Sequence, residues 1–150
     1  CYLDHLFFPQ GLLSRKKPSA AQMEDIRFGW SIARAVGRLD IGQCVVVRDR
    51  SVLAVEAIEG TDAAIRRGGE LAGSGAVVVK LKKPEQDFRF DLPATGEGTI
   101  ATLAAVKGAV LAVEAGQSLI FDREAMIRAA DRAGIVVIGL CEDDQGTLHS

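Results

Sequence analysis

The stretch VLAVEAGQSLIFDREAMIRAADRAGIVVIGL, residues 110–140, decides the fold. It opens with an apolar run over 110–114, turns at Ala115-Gly116-Gln117, and continues as a short strand over 118–121. Asp122 then caps a helix that runs to Ala133 and stops at Gly134, and Ile135 begins another strand that reaches Leu140. Strand and helix alternate within thirty-odd residues, as a layered α/β domain requires.

The same alternation extends upstream. Ser19 and Gln22 form a capping box directly after Pro18, so a long helix is expected over 19–39. Met23, Ile26, Trp30, Ala33 and Val36 make one apolar stripe on it, and Phe28, Ile32, Ala35 and Leu39 make a second. Two stripes imply burial against two partners. Residues 44–48 and 52–57 are β-branched runs around the turn Asp49-Arg50-Ser51, which predicts a hairpin. Thr61 is placed to cap a helix over 62–71, Gly73-Ser74-Gly75 breaks it, and 76–81 reads as a buried strand. After a polar loop and the glycine-rich stretch 93–98, Ile100, Leu103 and Ala104 signal a further helix. The expected architecture is a layered α/β domain with a mixed β-sheet and flanking helices, its hairpins antiparallel and its crossovers parallel. Residues 1–18 read as a linker from an upstream domain, 19–141 as the folded domain, and 142–150 as a tail that frays.

Composition excludes several functions. Among 150 residues, 18 lysines and arginines nearly balance 20 aspartates and glutamates, so no one-signed field draws the chain to nucleic acid. Three widely spaced cysteines and two histidines, with no CxxC, do not make a zinc site and fit a reducing cytoplasm. Cys44 and Cys141 sit in apolar strand contexts and read as core. No apolar run approaches the roughly 20 residues of a membrane span, and no signal peptide is evident, so any membrane contact is expected to be peripheral.

Chemistry is best placed in residues 80–93, which leave a buried strand and reach a helix start carrying Lys80, Lys82, Lys83, Glu85, Gln86, Asp87, Arg89 and Asp91. Carboxylates hold a hard cation or activate water, while lysine and arginine neutralise a displaced phosphoryl group. Solvated surface loops show the same charges, so alone the pattern is weak. If residues 87–91 are extended, the Cα atoms of Asp87 and Asp91 lie roughly 13 Å apart, too far to share one magnesium unless the loop folds back. The two carboxylates are therefore expected to differ in role. A second candidate is Glu59-Gly60-Thr61-Asp62 at a helix start, where amides and the Thr61 hydroxyl could meet an anion; plain helix capping accounts for it as well. A third, Thr95-Gly96-Glu97-Gly98-Thr99, is neither a Walker loop nor GxGxxG.

Three strings, Gly37-Arg38-Leu39-Asp40-Ile41-Gly42-Gln43, Ala54-Val55-Glu56-Ala57-Ile58-Glu59-Gly60-Thr61-Asp62 and the loop from Lys83-Pro84 to Leu92-Pro93, occur in order. Val113-Glu114-Ala115-Gly116 and Asp122-Arg123-Glu124 with Met126 follow them. Together they closely resemble the LpxI-type UDP-2,3-diacylglucosamine pyrophosphatases, over residues 11–138. The resemblance implies a carboxy-terminal domain that works with an amino-terminal one, and hydrolysis of UDP-2,3-diacylglucosamine to UMP and lipid X (2,3-diacylglucosamine 1-phosphate) in lipid A biosynthesis. It also implies Mg2+ (or Mn2+), a homodimer, and a place at the cytoplasmic face of the inner membrane. Carried over by position, Asp91 is the first choice for the catalytic carboxylate and Asp87 the next, both as metal ligands. Lys80, Lys83, Gln86 and Arg89 would bind phosphates, with Glu59, Thr61 and Asp62 as a further substrate contact. Glu114 matches the pattern without an assignable task. The competing readings are a lipid or sugar-phosphate binding module and a dimerisation domain, with catalysis supplied by the other domain.

Overall fold

A computed structural model describes residues 6–84 and 93–150. Its elements in order are β1 (Gly11–Leu12), α1 (Ala20–Arg38), β2 (Cys44–Arg48), β3 (Ser51–Val55), α2 (Thr61–Ala72), β4 (Val77–Lys80), β5 (Ala94–Thr95), α3 (Glu97–Ala105), β6 (Val110–Glu114), β7 (Leu119–Ile120), α4 (Arg123–Ala133), β8 (Val136–Glu142) and β9 (Leu148–His149). The main sheet runs β1-β8-β6-β4-β2-β3, with β9 also on β8. Strands β4, β6 and β8 are parallel, while β2, β3, β1 and β9 add antiparallel pairs. The expected mixed, layered α/β fold is the one observed.

Alternation along the strands divides the core into two layers. Val45, Val47, Val77, Val79, Val110 and Ala112 face α1, where Ile26, Trp30, Ala33 and Val36 cover them. Cys44, Val46, Val78, Leu111, Val113 and Val137 face the other way, onto Ile65 of α2, Ile100 and Leu103 of α3, and Met126 of α4. Close approach on that side is made possible by α2 itself: a Cβ on Gly68 would sit 2.6 Å from Val46, so the helix lies directly on the strand.

The first stripe of α1 is the buried one. In the second, Phe28 and Ile32 are half-buried against the same layer, whereas Ala35 and Leu39 are exposed. The capping box at Ser19 is present in both directions, Gln22 N donating to Ser19 Oγ and Ser19 N to Gln22 Oε1. The hairpin is tighter than expected, because Asp49 and Arg50 both take positive φ and donate their amides to buried Asp25 of α1.

Other expectations need correction. Thr61 does not cap α2: Gly60 holds that position with φ 93° and no side-chain bond, and the Thr61 hydroxyl is used elsewhere. Residues 118–121 reduce to the two-residue β7, which pairs in parallel with β5 in a separate small sheet. In residues 142–150, Asp143 accepts from the amides of Gln145 and Thr147, and the chain returns as β9 on β8. Residues 6–18 are packed onto the domain, with Phe8 buried and β1 on β8. Gly139 admits them, since a Cβ there would lie 1.9 Å from the Pro9 carbonyl oxygen. Of the two cysteines read as core, Cys44 is fully buried and Cys141 only partly. None of the helices among the described residues is long and apolar enough to cross a membrane.

Candidate functional site

Lys80 ends β4, and the register of the sheet puts it opposite Cys44 at the carboxy-terminal end of the parallel strands. Open α/β sheets place their ligands at that end. The side chain is 5% exposed. Its Nζ donates to the Ala94 carbonyl at 2.7 Å and to Thr95 Oγ1 at 3.4 Å. An ammonium has three N–H donors, and two of them are used among the described residues. No carboxylate among the described residues lies within ion-pair distance of Lys80. Burial pushes its pKa down, an effect only partly offset by Cys44, Glu56 and Asp62.

Glu56 is a second buried charge at this end of the sheet, also 5% exposed. Oε2 accepts from the Gln43 amide at 2.8 Å and Oε1 accepts from the Thr61 hydroxyl at 2.6 Å. The motif at 37–43 explains how it is seated: a Cβ on Gly42 would fall 2.1 Å from the Glu56 carbonyl oxygen, so only glycine lets the two segments meet. Thr61 begins α2 and Gly96, next to Thr95, caps α3. Neither helix has a side-chain cap, unlike α1 with Ser19 and α4 with Asp122. Uncapped amides carry the positive ends of the helix dipoles. Lys80 and these two helix starts share this end of the sheet with the carboxylates of Glu56, Asp62 and Glu97.

Of the sequence candidates, the structure brings Lys80, Thr61 and Asp62 to this cluster. Glu59 instead pairs with Arg67 at 2.6 Å, and that bond holds its carboxyl below the usual range. Lys83 lies on the α1 side, 3.2 Å from Asp40, whose φ of 56° turns it toward the loop base. Gln86, Asp87, Arg89 and Asp91 lie outside the described residues. Their two flanks are described: Lys83 and Pro84 rest on Gly37 at the end of α1, whereas Ala94 meets Lys80 on the opposite face of the sheet.

Glu114 has a clear place. Its Oε1 accepts from the Lys82 amide at 3.1 Å and its Oε2 from Arg34 at 2.8 Å. Arg34 also bonds Glu142, which accepts from Trp30 Nε1. The end of β6, the end of β8, helix α1 and the loop base are thus tied in one network. Sequence reasoning missed Glu56 as a site residue, although the alternation of Ala54 and Glu56 put both on one face. Thr95 was among the weaker candidates and is beside Lys80.

Fold and site define a layered α/β domain with buried Lys80 and Glu56 at the carboxy-terminal end of its parallel strands. The chain belongs to the LpxI family: residues 9–138 match the family described as the LpxI C-terminal domain. It is 43% identical, over 146 residues, to the UDP-2,3-diacylglucosamine pyrophosphatase LpxI of Caulobacter vibrioides, covering 92% of this chain. The chain spans about half of that relative, 52% of its length. Among solved structures, RibD of Acinetobacter baumannii is similar at 16% identity and a TM-score of 0.37, over 79% of this chain and 33% of the other, a likeness too slight to carry an argument.

Proposed function

We propose that this chain is the carboxy-terminal domain of a UDP-2,3-diacylglucosamine pyrophosphatase, and that it grips the pyrophosphate while UMP and lipid X separate. The observation that carries the reading is Lys80, a buried ammonium with one donor unused among the described residues, beside two uncapped helix starts. Such a group neutralises negative charge as it builds on the departing phosphate, and does so without reorganising. Asp91 is proposed as the carboxylate that activates water and Asp87 as its partner. Gln86 and Arg89 complete the phosphate contacts, and Lys83 contributes from the loop base.

Mg2+ or Mn2+ belongs to the same proposal. The described residues contain no cluster of three possible ligands, so a cation here would rely on Asp87, Asp91 and phosphate oxygens. Oxygen donors without His or Cys suit magnesium, which would offset charge on the pyrophosphate. The preceding half of the protein, a homodimer, and peripheral contact with the cytoplasmic face of the inner membrane are proposed with it.

The second reading, a binding module whose catalysis lies in the other half, shares the Lys80 grip. The test is phosphorus NMR of UDP-2,3-diacylglucosamine with the full-length protein and its variants. Conversion to UMP and lipid X, abolished in Asp91→Ala and in Lys80→Met, is the expected result. Turnover that survives both changes would move catalysis to the other half.

A further inference from the structure

We infer that Ser118 is a second contact for the pyrophosphate, donating its hydroxyl to a phosphate oxygen on the β6 side of Lys80. The inference rests on the proposed Lys80 grip and adds a residue to it. Ser118 lies in the turn between β6 and β7 and is 4% exposed. Among the described residues its Oγ has no hydrogen-bond partner, although its own carbonyl accepts from the Phe8 amide at 2.8 Å. A buried hydroxyl left unpaired is a standing cost to the free protein, and a fold that keeps one calls for a partner.

The small sheet directs this hydroxyl. Strands β5 and β7 run parallel with Thr95 opposite Ile120, so those two side chains share a face. On that face Ile120 enters the core layer under α2, α3 and α4, and Thr95 Oγ1 meets Lys80 Nζ. Ser118 precedes Ile120 by two residues and, by the period of a strand, points the same way. One strand across and two residues along, its Cα lies roughly 8 Å from that of Thr95. A diphosphate that accepts a bond of about 3 Å at each end bridges such a gap. The charges favour the same side. Glu56 and Asp62 follow β3 and stand on the β2 and β3 side of Lys80, whereas Ser118 follows β6 on the other. Ionised phosphate oxygens only accept, while Lys80 brings an N–H unused among the described residues and Ser118 an O–H.

Calorimetric titration of the full-length protein in magnesium with inorganic pyrophosphate, paired with thermal melting of the free protein, tests this. Ser118→Ala should weaken pyrophosphate about tenfold or more, the scale of one hydrogen bond to a charged acceptor. Its melting temperature should stay level or rise, because the free protein loses no bond. A serine with a merely structural role would instead lower the melting temperature, and that result, failure to fold included, would overturn the inference. Pyrophosphate affinity unchanged in Ser118→Ala but lost in Lys80→Met would assign the hydroxyl to a buried water, overturning the inference and leaving the Lys80 site standing. Unchanged affinity in Lys80→Met, or no binding by the native protein, would overturn the site and the inference together.

Discussion

Replacing Lys80 with methionine should separate binding from stability. Burying an ammonium costs several kcal/mol, and only a carboxylate partner or good hydrogen bonds offset this. Lys80 has one strong bond, 2.7 Å to Ala94, and a weak one, 3.4 Å to Thr95. A strong bond from a charged donor returns about 1.5–3 kcal/mol, and the weak one only a fraction of that. Methionine fills nearly the same volume without the charge, so Lys80→Met should be as stable as the native protein or up to about 2 kcal/mol more stable. The sign with pH follows from the depressed folded pKa of Lys80 against its ordinary value of 10.5. Between the two, the unfolded chain binds more protons, so the penalty is full below the folded pKa and fades as pH rises toward 10.5. Denaturant titrations of both proteins at several alkaline pH values should show the native protein catching up with the variant. Loss of more than about 2 kcal/mol in Lys80→Met, or a gap that widens with pH, would mean that Lys80 is a structural residue.

Other consequences can be measured directly. Glu114→Ala removes the acceptor of the Lys82 amide and of Arg34, and should cost about 1–3 kcal/mol in denaturant unfolding; a loss below about 0.5 kcal/mol would show the network to be incidental. A double-mutant cycle with Arg34→Met should show coupling, since the two side chains meet at 2.8 Å. Gly68→Ala pushes a methyl to within 2.6 Å of Val46 and should destabilise by about 1–3 kcal/mol, checked by thermal melting. Burial drives the Cys44 thiol up to about 12, so native Cys44 should resist alkylation at neutral pH and react only on unfolding, as read by mass spectrometry.

The sequence was legible where local physics dominates. The capping box at Ser19, the stop at Gly134 and the β-branched strands 44–48 and 110–114 could be read directly, because each depends on neighbours within a few residues. Strands β1, β5, β7 and β9 are two residues long, too short for any period, and form only because distant segments pair with them. Thr61 misled for a related reason. A threonine before a helix usually caps it, but here a buried carboxylate five residues earlier claims the hydroxyl. The site showed the same division: the residue types around Lys80 could be noted in the chain, whereas the separation of Lys80 and Lys83 onto opposite faces of the sheet required the register.

The central claim is that the pyrophosphate of the ligand sits on Lys80 between the starts of α2 and α3. A crystal structure of the full-length protein with magnesium and a non-hydrolysable analogue of UDP-2,3-diacylglucosamine tests it most directly. A phosphate oxygen within about 3 Å of Lys80 Nζ is the result expected. Pyrophosphate bound elsewhere, with Lys80 still joined only to Ala94 and Thr95, would contradict the account.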